Sequence, residues 1–565
     1  MRQISLCFAA LLGIASWLAP NHYPPWVSFH AEALMAAAFF LACITELGFR
    51  REAADELTPL LALALLLSTG PLWQLVFGSI QFAGDAWLAF AYLIGAALAI
   101  MLGRRFATRL GAPVVMEQLC ILFIAASLLC IGVALYQWFD ISGLGIFAVD
   151  LSPLARPYSN VAQPNHLATM LFLGLVGTLL LYERRRLGGG VTAVCCLFIE
   201  FGLSMTGSRT AWLAVAMLVL LLCLLHTKAS LRISRSALAG LGVTFIALLF
   251  LWQPLCDVLL LSGGRSLATQ MQAGPRVLLW QTSIDAVFRE PWFGYGWSQG
   301  AVAHSQVVID HPVGGRVLMG SAHNLLLDLM IWNGIPLGMA VFGFLLWWGG
   351  RHALAARDST AVCLLAAIGG VFVHALVEYP LSYTYFLLPV ALMAGALDQH
   401  AGVTGRLRIA TGWIWALTAV ATVLLATTVY EYAQVEDNTR ILRFETARID
   451  TGRIESQAPD LVLLTQWREY LRFARIEAHP GMSAEELAWI RRVTERFPYA
   501  VSQFRSALAH GLNDRPDIAA RELQRLCRLQ TPRVCHRQLG QWRELQQTKY
   551  PQLATTVLPN DPDTR

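Results

Sequence analysis

The sequence predicts an all-α fold, a polytopic bundle of about thirteen transmembrane helices with a helical domain after the last one. Three observations predict it. Hydrophobic residues fill 56% of the 565 positions and charged ones only 14%, whereas a soluble protein carries about 25% charged residues. Apolar runs of bilayer-spanning length recur along most of the chain. Arginine and lysine concentrate in every second connection between those runs. The net charge of +5 is no nucleic-acid signature.

The runs fall near 4–19, 30–47, 57–77, 84–102, 114–138, 166–182, 189–205, 211–226, 237–256, 323–348, 360–377, 384–397 and 409–430. A helical crossing needs about 20 apolar residues, so the 384–397 run is the shortest candidate. The first run lacks a small-x-small cleavage site before a soluble chain, and is expected to stay as a span. With the N-terminus in the cytoplasm, the loops on that side hold Arg50 and Arg51, then Arg104, Arg105 and Arg109, then Arg184, Arg185 and Arg186. Later ones hold Lys228, Arg232 and Arg235, then Arg351 and Arg357, then Arg406 and Arg408. The opposite loops hold only Arg156, Arg209, Arg265, Arg276, Arg289 and Arg316. This is the positive-inside pattern of a multi-pass inner-membrane protein.

Three regions follow: N-terminal spans over 1–150, a core over 151–430 with a large periplasmic loop at 257–322, and a periplasmic helical domain over 431–565. In that last region Ser483 and Glu486 form a capping box, opening a helix that ends at Phe497-Pro498. Helical patterns continue over 499–512 and 516–529, in a repeat-like manner without a clear consensus. Nine of the eleven cysteines lie in apolar runs and read as small hydrophobes. Cys527 and Cys535 lie in the polar tail, where an oxidising periplasm permits a disulfide; two unpaired thiols on neighbouring helices is the alternative. No Cys/His set has zinc spacing.

In a membrane protein the informative residues are the polar ones in and beside the spans. Here they crowd the outer ends. Tyr158-Ser159-Asn160-Val161-Ala162-Gln163-Pro164-Asn165-His166 precedes the sixth run, and Thr206-Gly207-Ser208-Arg209-Thr210 turns between two others. Gly274-Pro275-Arg276 and Pro291 to Trp297 lie in the large loop. Ser321-Ala322-His323-Asn324 opens the tenth run, and Glu378 to Tyr383 links two late ones. All fall on one side, so they can serve one site.

These motifs resemble a known family. Gln163-Pro164-Asn165-His166, Gly207-Ser208-Arg209-Thr210 and His323-Asn324 look like motifs of the O-antigen ligase and polymerase superfamily. Tyr158 to Leu167 resembles more narrowly the signature of bacterial protein O-oligosaccharyltransferases of the PglL type. Asn21-His22-Tyr23-Pro24-Pro25-Trp26 and Phe82-Ala83-Gly84-Asp85-Ala86-Trp87 are similar to that group as well. The resemblance implies a glycosyltransferase that moves an oligosaccharide from undecaprenyl diphosphate, at the periplasmic face, to Ser or Thr of a pilin or other exported protein. O-antigen ligase, with a lipid A core acceptor, and O-antigen polymerase are the nearest alternatives.

The residue types suit that chemistry. A diphosphate leaving group needs a cation that holds its oxygens, which is arginine's strength; Arg209 and Arg276 are the candidates. A hydroxyl acceptor needs a base near pH 7, commonly histidine; His323 is the candidate. One base and one displacement would invert the anomeric carbon. Gln163, Asn165, Tyr379, Tyr295 and Trp297 are candidates for binding substrate. The first outer loop, 20–29, has no acid, and Asp85, Asp140 and Asp150 are scattered, so neither metal nor cofactor is expected.

Each candidate has a plainer reading. His323 can be a polar helix entrance with Asn324 as its cap, Arg209 a snorkelling interfacial arginine, and Arg276 solvated loop surface. Gln163 and Asn165 can satisfy the backbone of a broken helix, and His166 can be only a helix-start residue. Tyr379 can be an interfacial tyrosine, and Tyr295 and Trp297 a packed loop. His304 and His311 read as loop surface, and His22, Tyr23 and Trp26 as an aromatic belt. A transporter or flippase would show ionisable groups at mid-bilayer and inverted repeats, and neither is evident. A non-enzymatic scaffold using its tail for docking would be indifferent to His323.

Overall fold

The structure is a computed structural model, and it describes residues 2–20, 24–49, 54–152, 155–261, 276–311, 318–447 and 457–559. Several residues singled out above lie outside the described residues: Asn21, His22, Tyr23, Arg50, Arg51, Arg265, Gly274, Pro275 and Arg316.

Each of the thirteen apolar runs forms a helix among the described residues. Among the described residues, eight helices are long and apolar enough to cross a membrane: Phe29–Gly48, Pro59–Val76, Ala83–Leu110, Ala112–Trp138, Pro164–Glu183, Arg235–Leu259, Leu325–Ala355 and Thr411–Ala447. Arg2–Leu18, Gly189–Met205, Arg209–Leu225 and Ser359–Ala375 are apolar but shorter. The shortest run becomes Thr384–His400, with Pro389 inside it. The chain is an all-α polytopic membrane protein, with one short antiparallel ribbon pairing Ala54–Glu56 with Arg408–Ala410. Its contacts divide it into two compact units.

The first unit comprises Met1–Ser68, Ala91–Gln272 and Phe344–Thr427. At its centre lies Pro164–Glu183, buried at every position from Asn165 to Leu181. A helix apolar all round must be covered all round, and Ala112–Trp138, Gly189–Met205, Arg209–Leu225 and Ser359–Ala375 cover it. The arginines read as loop charges are partly spent in ion pairs. Arg105 grips Asp55 through two bonds (2.8 and 2.5 Å), Arg2 and Arg109 share the buried Glu46, and Arg184 and Arg186 share Glu117. Removing one partner of the buried Arg105–Asp55 pair would strand a charge, typically at a cost of about 3–5 kcal/mol.

The second unit comprises Thr69–Phe90, Ala273–Gly343 and Thr428–Arg565. Its tail folds into Thr465–Phe473, Ala484–Arg496, Ala500–Gly511, Pro516–Leu529 and Pro532–Thr548. The capping box is present, with Glu486 N–H donating to Ser483 Oγ (3.1 Å) and Ser483 N–H to the Glu486 carboxylate (2.8 Å). Phe473, Leu487, Ile490, Val493, Leu523 and Trp542 form the core, and Cys527 is bonded to Cys535. The Phe82–Trp87 motif is a clip for this domain. Phe82 enters its core, Gly84 N–H donates to Thr465 Oγ1 (2.9 Å), and Asp85 accepts both bonds of the Arg496 fork (2.7 and 2.8 Å). The 323–348 run, expected as one span, is broken at Gly334 (φ 78°), so the helix after His323 runs only over 325–333 before a new one starts.

Candidate functional site

In the first unit the motifs gather at the start of Pro164–Glu183. Pro164 takes its first turn, where the missing N–H is no loss. The preceding turn puts Ser159 (φ 56°) and Ala162 (φ 23°) in the left-handed region, which side chains with a Cβ seldom adopt. Gln137 holds that turn. Its Oε1 accepts from the N–H of Tyr158 (3.2 Å) and Ser159 (2.8 Å), and its Nε2 donates to the carbonyls of Val149 (2.9 Å) and Ser159 (2.7 Å). Asn160 donates to the carbonyls of Leu18 (2.7 Å) and Phe147 (2.8 Å). The Tyr158–Asn160 part of the signature is thus a bending device.

Asn165 is where the motifs meet. Its Nδ2 donates to Glu378 Oε1 (2.7 Å) and its Oδ1 accepts from Ser208 Oγ (2.7 Å). One buried amide therefore ties the Gln163–His166 motif, the Gly207–Thr210 turn and the Glu378–Tyr383 link. Arg156 steadies the same turn by donating to the carbonyls of Thr206 (3.1 Å) and Gly207 (2.8 Å). Ser208 is the N-cap position of Arg209–Leu225, yet its hydroxyl is given to Asn165 and makes no capping bond. Arg209 opens that helix, half-buried. A guanidinium at the positive end of a helix is suited to an anion.

His166 is fully buried, within 3.1 Å of both Tyr385 Oη and Gln163 Nε2, with the Tyr383 ring 4.6 Å away. Tyr379 stacks on Tyr383 at 5.8 Å. Thr169 and His374 are joined at 2.5 Å. Trp26 is more than a belt residue, because its indole donates to the buried Glu32 (2.8 Å), which also accepts from Ser28 (2.7 Å) and Thr384 N–H (3.2 Å).

In the second unit, His323 is half-buried and left-handed (φ 51°), an uncommon conformation for a residue with a Cβ. The buried Asp328 accounts for it. Its carboxylate accepts from Ser321 Oγ (2.6 Å) and Ala322 N–H (2.7 Å), and His323 N–H donates back to Ser321 Oγ (3.0 Å). Asn324 caps the next helix, its Oδ1 accepting from Leu326 (3.0 Å) and Leu327 (3.2 Å). Trp280 donates to the Ala322 carbonyl (3.1 Å), tying the turn to the helix Arg276–Arg289. Arg276 is the first residue of that helix and is half-buried, not open loop surface.

Tyr295 and Trp297 are buried, Trp297 against Trp332 at 4.8 Å, which is the packed-loop arrangement weighed for these two candidates. Burial pushes the Tyr295 hydroxyl up to about 12. Two glycines allow that packing. A Cβ on Gly294 would meet the Ile331 carbonyl and one on Gly334 the Trp292 carbonyl; both residues have positive φ. His304 is a correction: it is 5% exposed, not loop surface, and burial lowers its ring to about 4. It lines a small cavity with Ser283 and Ser321. His311 is half-buried and bonded to Asp285 (3.0 Å).

The eight candidate residues are therefore grouped as follows. Gln163, Asn165, Arg209 and Tyr379 belong to the first unit, and Arg276, Tyr295, Trp297 and His323 to the second. Sequence reading passed over Asp328, and it placed Glu378 in a motif without giving it a role. Their signal was available, since each is a lone acid in or beside an apolar run, where a charge is costly without a partner.

Residues 191–342, which hold Arg209, Arg276 and His323, match the O-antigen ligase family; residues 362–529 match the C-terminal part of virulence factor membrane-bound polymerases. These two regions make the chain similar to the O-antigen ligase and polymerase group. Within it, the chain is similar to O-oligosaccharyltransferases. It is 29% identical over 522 residues to the general O-oligosaccharyltransferase of Acinetobacter baylyi, covering 90% of this chain and 89% of that one. It is 29% identical over 331 residues to the ComP-specific O-oligosaccharyltransferase of the same organism, covering 58% and 59%.

Proposed function

We propose that this protein is a glycosyltransferase that moves an oligosaccharide from undecaprenyl diphosphate to Ser or Thr hydroxyls of exported proteins, a pilin being the acceptor to try first. The observation that carries the reading is Arg209, which opens a helix from a turn clamped by Asn165, Ser208 and Arg156. That arrangement suits a diphosphate, and similarity to O-oligosaccharyltransferases over nearly the whole chain supports the reaction class.

His323 takes the proton of the acceptor hydroxyl as its oxygen bonds to the anomeric carbon. The bond from that carbon to the diphosphate breaks, and its electron pair leaves with the lipid. Arg209 and Arg276 hold the phosphate oxygens as negative charge gathers there. A single displacement inverts the anomeric centre, and arginines do the work that a divalent ion would do elsewhere, so no cofactor is needed. Asn165 and Gln163 order the donor side, with Tyr379 beside them, while Tyr295 and Trp297 shape the loop. The Cys527–Cys535 bond supports an oxidising compartment for the tail, hence a site facing the periplasm from the inner membrane.

The test is co-expression with a lipid-linked glycan pathway and a pilin, reading glycan on protein against glycan on lipid A core. The match of 191–342 to O-antigen ligase favours the second product as the alternative. Glycan on lipid A core alone would select ligation, and glycan on neither would sink both readings.

A further inference from the structure

The helix Arg276–Arg289 has an unusual outer face. Its inner face, with Leu279, Thr282, Ser283, Ala286 and Val287, is buried. Its outward positions Val277, Gln281, Ile284 and Phe288 follow the spacing of one helical stripe, and three of these four are apolar. Val277 is 50% exposed, Ile284 45% and Phe288 68%. The stripe runs on into Trp292 and Phe293, exposed at 70% and 80%. Flanking charge is turned aside, because Arg289 is bonded to Asp285 (3.0 Å) and Asp310 (2.6 Å).

The occupant follows from what the aromatic tip is fastened to. Tyr295 N–H donates to the Ile331 carbonyl (2.7 Å), and Ile335 N–H to the Pro291 carbonyl (2.7 Å). The tip is thus stapled to the break in Leu325–Ala355, a helix apolar and long enough to span a bilayer. Just past the break that helix exposes Leu337 and Met339. The apolar tip is therefore fastened to a span-length helix whose exposed side chains there are apolar, as lipid-facing ones are. A stripe of this kind, ending in Trp and Phe, is the pattern of a helix lying in the bilayer surface.

We propose that residues 276–293 form an interfacial helix with an aromatic tip, seated in the lipid surface, and that this seat sets the depth of Arg276. An in-plane helix keeps its first residue at headgroup level, where a lipid-linked diphosphate lies. Trp280 then carries the same depth to the His323 turn through its bond to Ala322 (3.1 Å). The consequence for Arg276 rests on the donor reading above, whereas the seat in lipid does not.

Two measurements test it. The full chain, in nanodiscs of phosphatidylethanolamine and phosphatidylglycerol, would carry a photoreactive phenylalanine at Phe288, Phe293 or Val501. Val501 is a control, 60% exposed on a tail helix. Phospholipid adducts are expected at 288 and 293 and not at 501. Adducts only to acceptor protein, only to a second copy, or to no lipid overturn the seat. Second, the combined Ile284→Ser, Phe288→Ser and Trp292→Ser variant should raise the donor KM in nanodiscs roughly tenfold, with kcat within about twofold. An unchanged KM overturns the claim that the seat sets depth. Lipid adducts together with a normal donor KM in Arg276→Lys would instead remove Arg276 from the donor reading and leave the seat standing.

Discussion

The two units hold their candidate residues in opposite ways. In the first, Asn165, Ser208 and Glu378 are joined side chain to side chain between packed helices, so each polar group is fixed by a rigid neighbour. In the second, His323 is held through its backbone, in a left-handed turn that Asp328 and Ser321 lock. Both ring nitrogens of His304 and His510, and the hydroxyl of Tyr295, lack hydrogen-bond partners among the described residues. Such groups typically cost about 1–3 kcal/mol each. The difference fits the proposed tasks: a cation that is to hold a diphosphate benefits from a rigid mount, whereas the proposed base is carried on a turn fixed through its backbone.

The comparison breaks first at His323. His323→Ala should lower transfer by about 10²–10⁴-fold, the usual worth of a positioned base, while donor binding persists. Normal turnover would remove His323 from catalysis and send the search for the base to His166 or Tyr379. Arg209→Lys should instead weaken donor binding and transfer together, by about 10–100-fold, as one charge-assisted bond of about 1.5–3 kcal/mol is lost. Arg276→Lys should do the same more mildly. Paired binding and turnover assays that fail to separate His323→Ala from Arg209→Lys would contradict the division of labour.

Acid should strike the second unit first. Burial lowers His304 and His510 to about 4, whereas an unfolded histidine titrates near 6.5. Between those values the unfolded state binds more protons, so stability falls as pH drops through that window. The loss should approach about 2–3 kcal/mol per ring at pH 4. Hydrogen exchange at pH 7 and pH 5 should show Ala500–Gly511 and Gly300–Val307 losing protection ahead of Pro164–Glu183. Uniform loss, or none, would count against this.

A smaller effect sharpens the contrast. Asp328→Asn cannot accept from both Ser321 and Ala322, so kcat should fall roughly tenfold with donor KM unchanged. Asn165→Ala should move donor KM instead. The reverse pattern would mean that the two clamps have been assigned to the wrong steps. The smallest expected effect is none: transfer should survive EDTA without added divalent ion. A strict requirement for Mg²⁺ or Mn²⁺ would overturn the displacement as written.

Much of the first unit was legible because motif residues and helix ends coincide. Pro164 announces a helix start, and Gln163, Asn165 and Arg209 are polar where lipid would penalise them. The partners were not legible. Nothing in the chain order says that Asn165 meets Glu378, since 213 positions separate them. The second unit was read less well. Tyr295 between Gly294 and Gly296, and Trp297 just after them, suit a packed loop or an exposed platform equally, and burial alone decides. His304 followed the same rule in reverse. Asp85 looked like a scattered acid until Arg496, 411 residues away, closed on it.

By itself the sequence determined the all-helical membrane architecture, the capped tail helices and the residue types at the candidate site. Those follow from local physics: hydropathy, helix capping, and the cost of charge in an apolar run. Tertiary structure alone decided the break at Gly334, the clamp of Asp328 on His323, the meeting of three motifs at Asn165 and the disulfide of the tail. Each of these joins groups whose affinity depends on distance and burial, and neither quantity exists until the chain has folded.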